Sequence, residues 1–191
     1  MHIKSLLLAS ASVKEQTAEM LSDTAQDAAL MIAASLKNGG KLMLCGNGGS
    51  AGDSQHLAAE FVATLDHRNP RDGLAAIALT TDSSLITAFS NDFGFEGIFD
   101  RQVATLGKAG DVLIAISTSG NSENVLRAAK VAQDKQISVI AMTGEDGGKL
   151  KQVSDIVLNV PSQKTMHIQE AHIALGHAIT QAVEIALGYG Q

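Results

Sequence analysis

The sequence predicts an α/β fold: a five-stranded parallel sheet flanked by helices, with long helices at both ends of the chain. Three observations carry this. Short apolar runs of strand length alternate with helical patterns through the middle of the chain. Turns rich in glycine and hydroxyls follow two of these runs, where a strand hands over to a helix. Residues from Ile3 to Leu36 are rich in Ala, Leu, Met, Glu and Gln and contain neither Gly nor Pro, which predicts one or two helices.

Taken in order, Asn38-Gly39-Gly40 ends the helical region. Lys41 to Cys45 reads as a strand and Ala51 to Leu65 as a helix. Asp66 to Gly73, polar and containing Pro70, reads as a surface excursion. Leu74 to Leu79 is a strand, followed by helical segments near Ser84 to Ser90 and Ile98 to Leu106. Val112 to Ile116 is a strand and Asn124 to Asp134 a helix; Ile137 to Met142 is a strand, with a short helix near Gly148 to Val153. Ile156 to Val160 is the last strand, and Thr165 to Leu187 a long helix. No repeat or low-complexity tract interrupts this pattern.

Composition narrows the function. The 191 residues are 45% apolar, enough for one domain with a sizeable core. Aromatics are 3% with no Trp, which argues against base-stacking platforms for single-stranded nucleic acid. The formal charge of −6 argues against broad binding to a phosphate backbone or to an anionic membrane surface. Cys45 is the only cysteine and lies in an apolar run, so it reads as buried packing in a reducing compartment. Ser5 to Ser10 has the flavour of a signal peptide, but its apolar run is too short and acidic helix-like sequence follows. No stretch is long enough to span a bilayer.

An acidic protein that binds an anion must do so with local donors. Ser117-Thr118-Ser119-Gly120-Asn121-Ser122 supplies four hydroxyls at the N-terminus of a predicted helix, where free N–H groups and the helix dipole favour negative charge. The same residues also suit an ordinary N-cap turn. Gly46-Asn47-Gly48-Gly49-Ser50 follows the first strand but has neither the dinucleotide spacing nor a P-loop lysine, so its glycines serve close approach of a ligand or a tight turn. His56 and Glu60, four apart, share one helix face, as metal ligands, as a base with its partner, or as a solvated surface pair. His167, Gln169, Glu170, His172 and His177 cluster on the final helix, and spacing does not select among them.

Five segments, Cys45 to Ser50, Gln55 to Glu60, Ser90 to Phe95, Ile116 to Ser122 and Ile168 to His172, occur together and in order. In this they resemble the sugar isomerase (SIS) domain proteins, most closely the phosphoheptose isomerases, over nearly the whole chain. The resemblance implies a single SIS domain over residues 1–191, with residues 1–37 as an N-terminal helical region and 38–191 as the α/β core. It implies an aldose–ketose isomerase converting sedoheptulose 7-phosphate to D-glycero-D-manno-heptose 7-phosphate, a precursor of lipopolysaccharide or related glycans. The implied assembly is a cytoplasmic homotetramer with active sites between subunits and zinc as cofactor, with no nucleic acid or membrane partner.

Carried over residue by residue, the hydroxyl loop gives Ser117, Thr118, Ser119 and Ser122 as phosphate ligands. Asn47, Gly48, Gly49, Ser50, Asn91, Asp92 and Gln169 fall on substrate-binding positions. His56, Glu60, Gln169 and His177 match the zinc ligands, and Glu60 and His177 also match the proton-transfer residues, Glu60 as base and His177 as acid. Gln169 and His177 are eight residues apart, about 12 Å of helical rise and roughly 80° around the axis. Either the helix is irregular there or the ligands of one site come from different subunits.

Two departures from the family pattern bear on the exact sugar. Ala63-Thr64 stands where Gly-Arg is common, with Arg68 or Arg71 available to compensate, and Thr165-Met166-His167 stands where an acidic residue or arginine is common. The alternatives are a non-enzymatic SIS tetramer that binds the replication initiator DnaA, and a phosphosugar sensor; Glu60 favours the enzyme. The apolar surface of the terminal helices suits packing between subunits or on their own sheet.

Overall fold

The computed structural model describes residues 2–189. The chain runs α1 (Ile3–Lys37), β1 (Leu42–Gly46), α2 (Gly49–Val62), β2 (Ala76–Ala78), α3 (Ser83–Phe93), α4 (Ile98–Leu106), β3 (Val112–Ile116), α5 (Glu123–Asp134), β4 (Ser138–Thr143), β5 (Ile156–Asn159) and α6 (Thr165–Ala186). Short 3-10 turns occupy Phe95–Gly97 and Leu150–Val153. The five strands form one sheet of order β2-β1-β3-β4-β5, parallel throughout.

Parallel strands are covered on both faces, so their apolar runs are continuous rather than alternating. Every residue of β1 and β3 is buried. Leu42, Leu44, Val112, Ile114, Ile140 and Met142 pack under α1, α2 and α6, meeting Ile32, Leu57, Phe61, Leu175 and Ile179. Met43, Cys45, Leu113, Ala115, Val139 and Ala141 face the other way, onto Phe99, Val103, Val125 and Ala129 of α4 and α5. Burial pushes the Cys45 thiol up to about 12, so it is inert packing.

The strand order places the site. From β1 the chain passes to β2 on one side and then returns to β3 on the other, so the connections after β1 and β3 leave the sheet in opposite directions. A crevice opens between them at the carboxyl ends of the strands. The glycine loop and the hydroxyl loop border it.

Several expectations shift. The N-terminal region is one unbroken helix. The helix after the first strand starts at Gly49 rather than Ala51, so Gly49 and Ser50 lie in its first turn, and it stops at Val62 rather than Leu65. The second strand is only Ala76–Ala78, because the Leu74 N–H turns away to the Phe61 carbonyl (3.0 Å) at the end of α2. The helix expected over Ser84 to Ser90 extends to Phe93 and includes Asn91 and Asp92. The short helix near Gly148 to Val153 is a 3-10 turn. The loop expected as a surface excursion sends Arg71 inward, its side chain 1% exposed.

Asp111 ties the entries of β1 and β3 together. Its fully buried carboxylate accepts from the Lys41 N–H (2.9 Å), the Lys41 ammonium (2.5 Å) and the Lys108 N–H (2.9 Å). Burial alone raises its pKa, but these hydrogen bonds and the Lys41 charge outweigh burial and hold it below the usual carboxylate value. A folded-state pKa below the unfolded one gives stability that is complete above the unfolded value of about 3.9 and is lost as pH falls through the folded one. Urea denaturation on either side of pH 4 therefore shows a steeper acid loss of stability in the parent than in Asp111→Asn; equal acid slopes would refute the assignment.

Candidate active site

The hydroxyl loop begins where β3 ends. The Ser117 N–H donates to the Met142 carbonyl (3.0 Å), which continues the sheet into the turn, and the Gly120 N–H closes the turn on the Ser117 carbonyl (2.9 Å). Gly120 has φ +63°, and a Cβ there would overlap the Gly147 carbonyl. The Ser117 and Ser122 hydroxyls lie 2.9 Å apart, and Ser119 Oγ accepts from the Asn121 N–H (3.2 Å). Ser122 is the N-cap of α5, yet its side chain makes no cap hydrogen bond. Asn124 Oδ1 takes the Val125 N–H (3.0 Å), so the start of α5 keeps the amides of Glu123 and Asn124 as donors beside a cluster of hydroxyls, an arrangement suited to a phosphate without cations. Thr118 is half-buried and Ser119 exposed at the mouth of this turn.

The glycine loop is fastened to the hydroxyl loop by a reciprocal amide pair. Asn47 Nδ2 donates to Asn124 Oδ1 and Asn124 Nδ2 donates to Asn47 Oδ1, both at 2.9 Å. The Asn47 amide thus spends one donor and one acceptor across the crevice. Buried Asn124 is a site residue that sequence reasoning missed, since an Asn in the first turn of a helix carries no distinguishing signal. Gly48 and Gly49 are exposed and Ser50 is buried. Gly49 permits a close approach: a Cβ there would lie 2.7 Å from Gln169 Nε2. Gln169 of α6 therefore covers the start of α2.

Helices α2 and α6 lie side by side in one register. Gln169 faces Gly49, Gly176 faces Leu57, and His177 faces His56, while farther along the Leu65 N–H points at Glu184. The sequence separation is 121 for His56–His177 and 119 for Leu65–Glu184, as parallel helices require. Gly176 makes this approach possible, with a Cβ position 2.6 Å from Leu57 Cδ1.

His56 Nε2 and His177 Nε2 meet at 2.9 Å, so one ring donates and the other accepts, the rings lying edge-on at 76°. Glu60 Oε1 is 3.7 Å from His56 Nε2, and Glu60 Oε2 is buried with no hydrogen-bond partner among the described residues. Asp53, one turn before His56, joins this cluster although sequence reasoning passed over it; its i, i+3 spacing to His56 was the available signal. Asp53 Oδ2 is also buried without a partner. Burial raises the Asp53 pKa, and the charges of His56 and His177 partly offset the rise.

The other two histidines on α6 are buried in the core. The fully buried His172 Nε2–H donates to the Thr143 carbonyl (2.9 Å), and burial pushes its pKa down to about 4, so it stays neutral in the core. His167 is buried, with Nε2 unpartnered. Asn91 and Asp92 sit exposed on α3, a helix with no buried residue, and the Asn91 amide donates to Asp92 Oδ1 (2.7 Å). No hydrogen bond joins them to the other candidate residues.

Two imidazole nitrogens and a carboxylate are a donor set that zinc takes. Zinc–nitrogen bonds of about 2.0–2.1 Å in a tetrahedron place two nitrogens roughly 3.3 Å apart, slightly wider than the 2.9 Å here. Among the described residues, no three His, Cys, Asp or Glu side chains already converge on one point. Gln169 lies against Gly49, about two helical turns from His177. Because α6 is an uninterrupted helix from Thr165 to Ala186, a local irregularity does not bring the two together.

The SIS domain family profile matches residues 7–144. The chain is 50% identical over 182 residues to the phosphoheptose isomerase of Aquifex aeolicus, covering 95% of this chain and 94% of that one. Among solved structures, the phosphoheptose isomerase from Neisseria gonorrhoeae superposes with a TM-score of 0.90 at 44% identity, covering 96% of this chain and 97% of that one. That from Francisella tularensis superposes with a TM-score of 0.91 at 40% identity, covering 96% of each.

The turn geometry makes a testable distinction between two left-handed glycines. Gly39, with φ +74°, faces open space, whereas Gly120 backs onto Gly147. Gly39→Ala pays only the conformational penalty, about 1 kcal/mol. Gly120→Ala must also displace backbone and loses at least about 2 kcal/mol more in denaturant unfolding. Equal losses would contradict the close approach.

Proposed function

Because this chain belongs to the SIS-domain family, we propose that its Glu60 and His177 carry out the proton transfers of a phosphoheptose isomerase. The protein interconverts sedoheptulose 7-phosphate and D-glycero-D-manno-heptose 7-phosphate, an aldose–ketose isomerisation through an enediol. The observation that carries the site assignment is the Glu60 carboxylate, with Oε1 3.7 Å from His56 and Oε2 buried without a partner among the described residues, beside the His56–His177 pair on a helix that begins at the glycine loop.

The chemistry needs a phosphate grip, a base and an acid. The Ser117, Thr118, Ser119 and Ser122 hydroxyls and the free amides of α5 hold the phosphate. Glycines 48 and 49, Ser50, Asn91 and Asp92 contact the sugar, and the Asn47–Asn124 clasp holds the two loops at fixed separation. Glu60 removes the C1 proton of the open-chain ketose while His177 protonates the C2 oxygen, giving the enediol. Glu60 then returns a proton to C2 as His177 accepts one from the C1 hydroxyl, so atoms balance without a redox partner. Without metal, His56 shares a hydrogen bond with His177 that fixes which ring nitrogen carries the proton; bound zinc would replace that bond.

Zinc is the metal these donors suit; His56, Glu60 and His177 would hold it, with Gln169 contributed by a second copy. When bound it supplies positive charge against the oxygen of an enediolate. A homotetramer accommodates this sharing. Supporting it, α1 and α6 enclose an apolar groove of about 250 Å³ lined by Ala18, Ala25, Ala171, Ala174 and Ala178, and α1 exposes Leu7, Leu8, Met20 and Leu30. No helix among the described residues is long and apolar enough to cross a membrane. We place the enzyme in the cytoplasm, its product feeding the heptose of lipopolysaccharide, as its family resemblance implies.

The direct test offers metal-replete protein a panel of ketose phosphates of five to seven carbons. Aldose forms from the seven-carbon member, and no isomerisation of any member would refute the reading. Glu60→Gln keeps the fold and lowers kcat by about 10²–10⁴-fold; near-parental turnover removes it from the base role. A folded monomeric variant, made by placing Arg at Ala178 in the groove, binds less than one zinc per chain by elemental analysis. Full zinc stoichiometry in that monomer would contradict the shared site.

A further inference from the structure

The loop between α2 and β2 closes the end of the helix that carries Glu60. Arg71, 1% exposed, inserts between the C-terminus of α2 and α6. Its Nε–H donates to Glu184 Oε1 (2.6 Å), its Nη1 to the carbonyls of Phe61 (2.8 Å) and Asp72 (3.0 Å), and its Nη2 to the carbonyl of Glu60 itself (2.9 Å). Carbonyls in the last turn of a helix have no intrahelical donor, and a cation there also suits the helix dipole. The loop lies tight on this end: the Leu74 N–H also donates to the Phe61 carbonyl, and a Cβ on Gly73 would come within 2.8 Å of the Val62 carbonyl. Glu184, two turns beyond His177 on α6, accepts in addition from the Leu65 N–H (3.4 Å).

One guanidinium therefore grips the backbone of Glu60 and, through Glu184, the helix that carries His177. Arg68, the other arginine of the loop, is exposed and, among the described residues, pairs only with Asp66. We propose that Arg71 is a positioning residue of the isomerase: with Glu184 it sets the register of α2 on α6 and so the placement of Glu60 against the His56–His177 pair. This rests on Glu60 and His177 being the proton-transfer residues. Arg71 bonds to neither the hydroxyl loop nor the glycine loop, so its loss falls on kcat and spares KM. Misplacing reacting groups by an ångström costs on the order of 10²-fold in rate.

A merely structural role is separated by removing both partners. A buried ion pair replaced by apolar side chains of similar volume often leaves the fold as stable or more so. The experiment compares Arg71→Met, Glu184→Met, the double variant and Glu60→Gln with the parent, in thermal melts and in steady-state kinetics per folded molecule. The expected double variant folds but melts below the parent, because the Glu60 and Asp72 carbonyls lose their donor, loses about 10–100-fold in kcat and keeps KM within about threefold. A stable double variant with parental kcat overturns the proposal, as does failure of both Arg71 variants to fold, which would make Arg71 a support of the fold rather than of the site. If Glu60→Gln is inactive while the double variant is normal, only the role of Arg71 fails. Near-parental turnover by Glu60→Gln removes the underlying reading, and the role of Arg71 with it.

Discussion

Everything at this site depends on two helices lying parallel and in register. Helix α2 leaves β1 through the glycine loop, and α6 returns from β5 over the same face of the sheet. Their contact is close because Gly176 leaves room for Leu57 and Gly49 leaves room for Gln169. That contact turns residues far apart in sequence into facing pairs. His56 and His177 have little chemistry apart, but with their ring nitrogens 2.9 Å from one another they share a proton beside the Glu60 carboxylate. A one-residue slip of either helix would rotate its member of each pair by about 100° and dissolve the arrangement.

The second organising feature is the reversal of strand order between β1 and β3. It brings two loops to one crevice, and the Asn47–Asn124 pair holds them there. An acidic chain can grip a phosphate at this point because the donors are hydroxyls and main-chain amides, whose placement is set by the turn at Gly120 rather than by net charge. The proposed phosphate grip and the proposed proton-transfer groups thus belong to different helices, α5 and α2 with α6, meeting over the same sheet edge.

Much of this was legible in the sequence. The five strands announce themselves as continuous apolar runs because parallel strands are buried on both faces, and the resemblance to the SIS-domain family agrees with the sheet and with the long terminal helices. Boundaries were less legible: β2 is three residues because the Leu74 N–H is drawn to the end of α2, a tertiary choice with no local mark. Asp53 was readable from its spacing to His56. Asn124 was not, and Arg71 stood only as one of two arginines available to compensate for Thr64, since each acts through a partner far away in sequence. Arg71 sits in a polar, proline-containing stretch that pattern alone assigns to the surface, and only Glu184, 113 residues away, brings it inside. Equally, three histidines on α6 looked alike in sequence; the register against α2 selects His177 and leaves His172 in the core.

The central claim is that Glu60 moves the hydrogen between carbons as a proton. Nuclear magnetic resonance in deuterium oxide tests it most directly, by following exchange of the C1 hydrogen of sedoheptulose 7-phosphate with solvent during turnover. The account predicts deuterium entering at the reacting carbons with the parent enzyme and no such exchange with a folded Glu60→Gln variant. Exchange by that variant at the parental rate would contradict it.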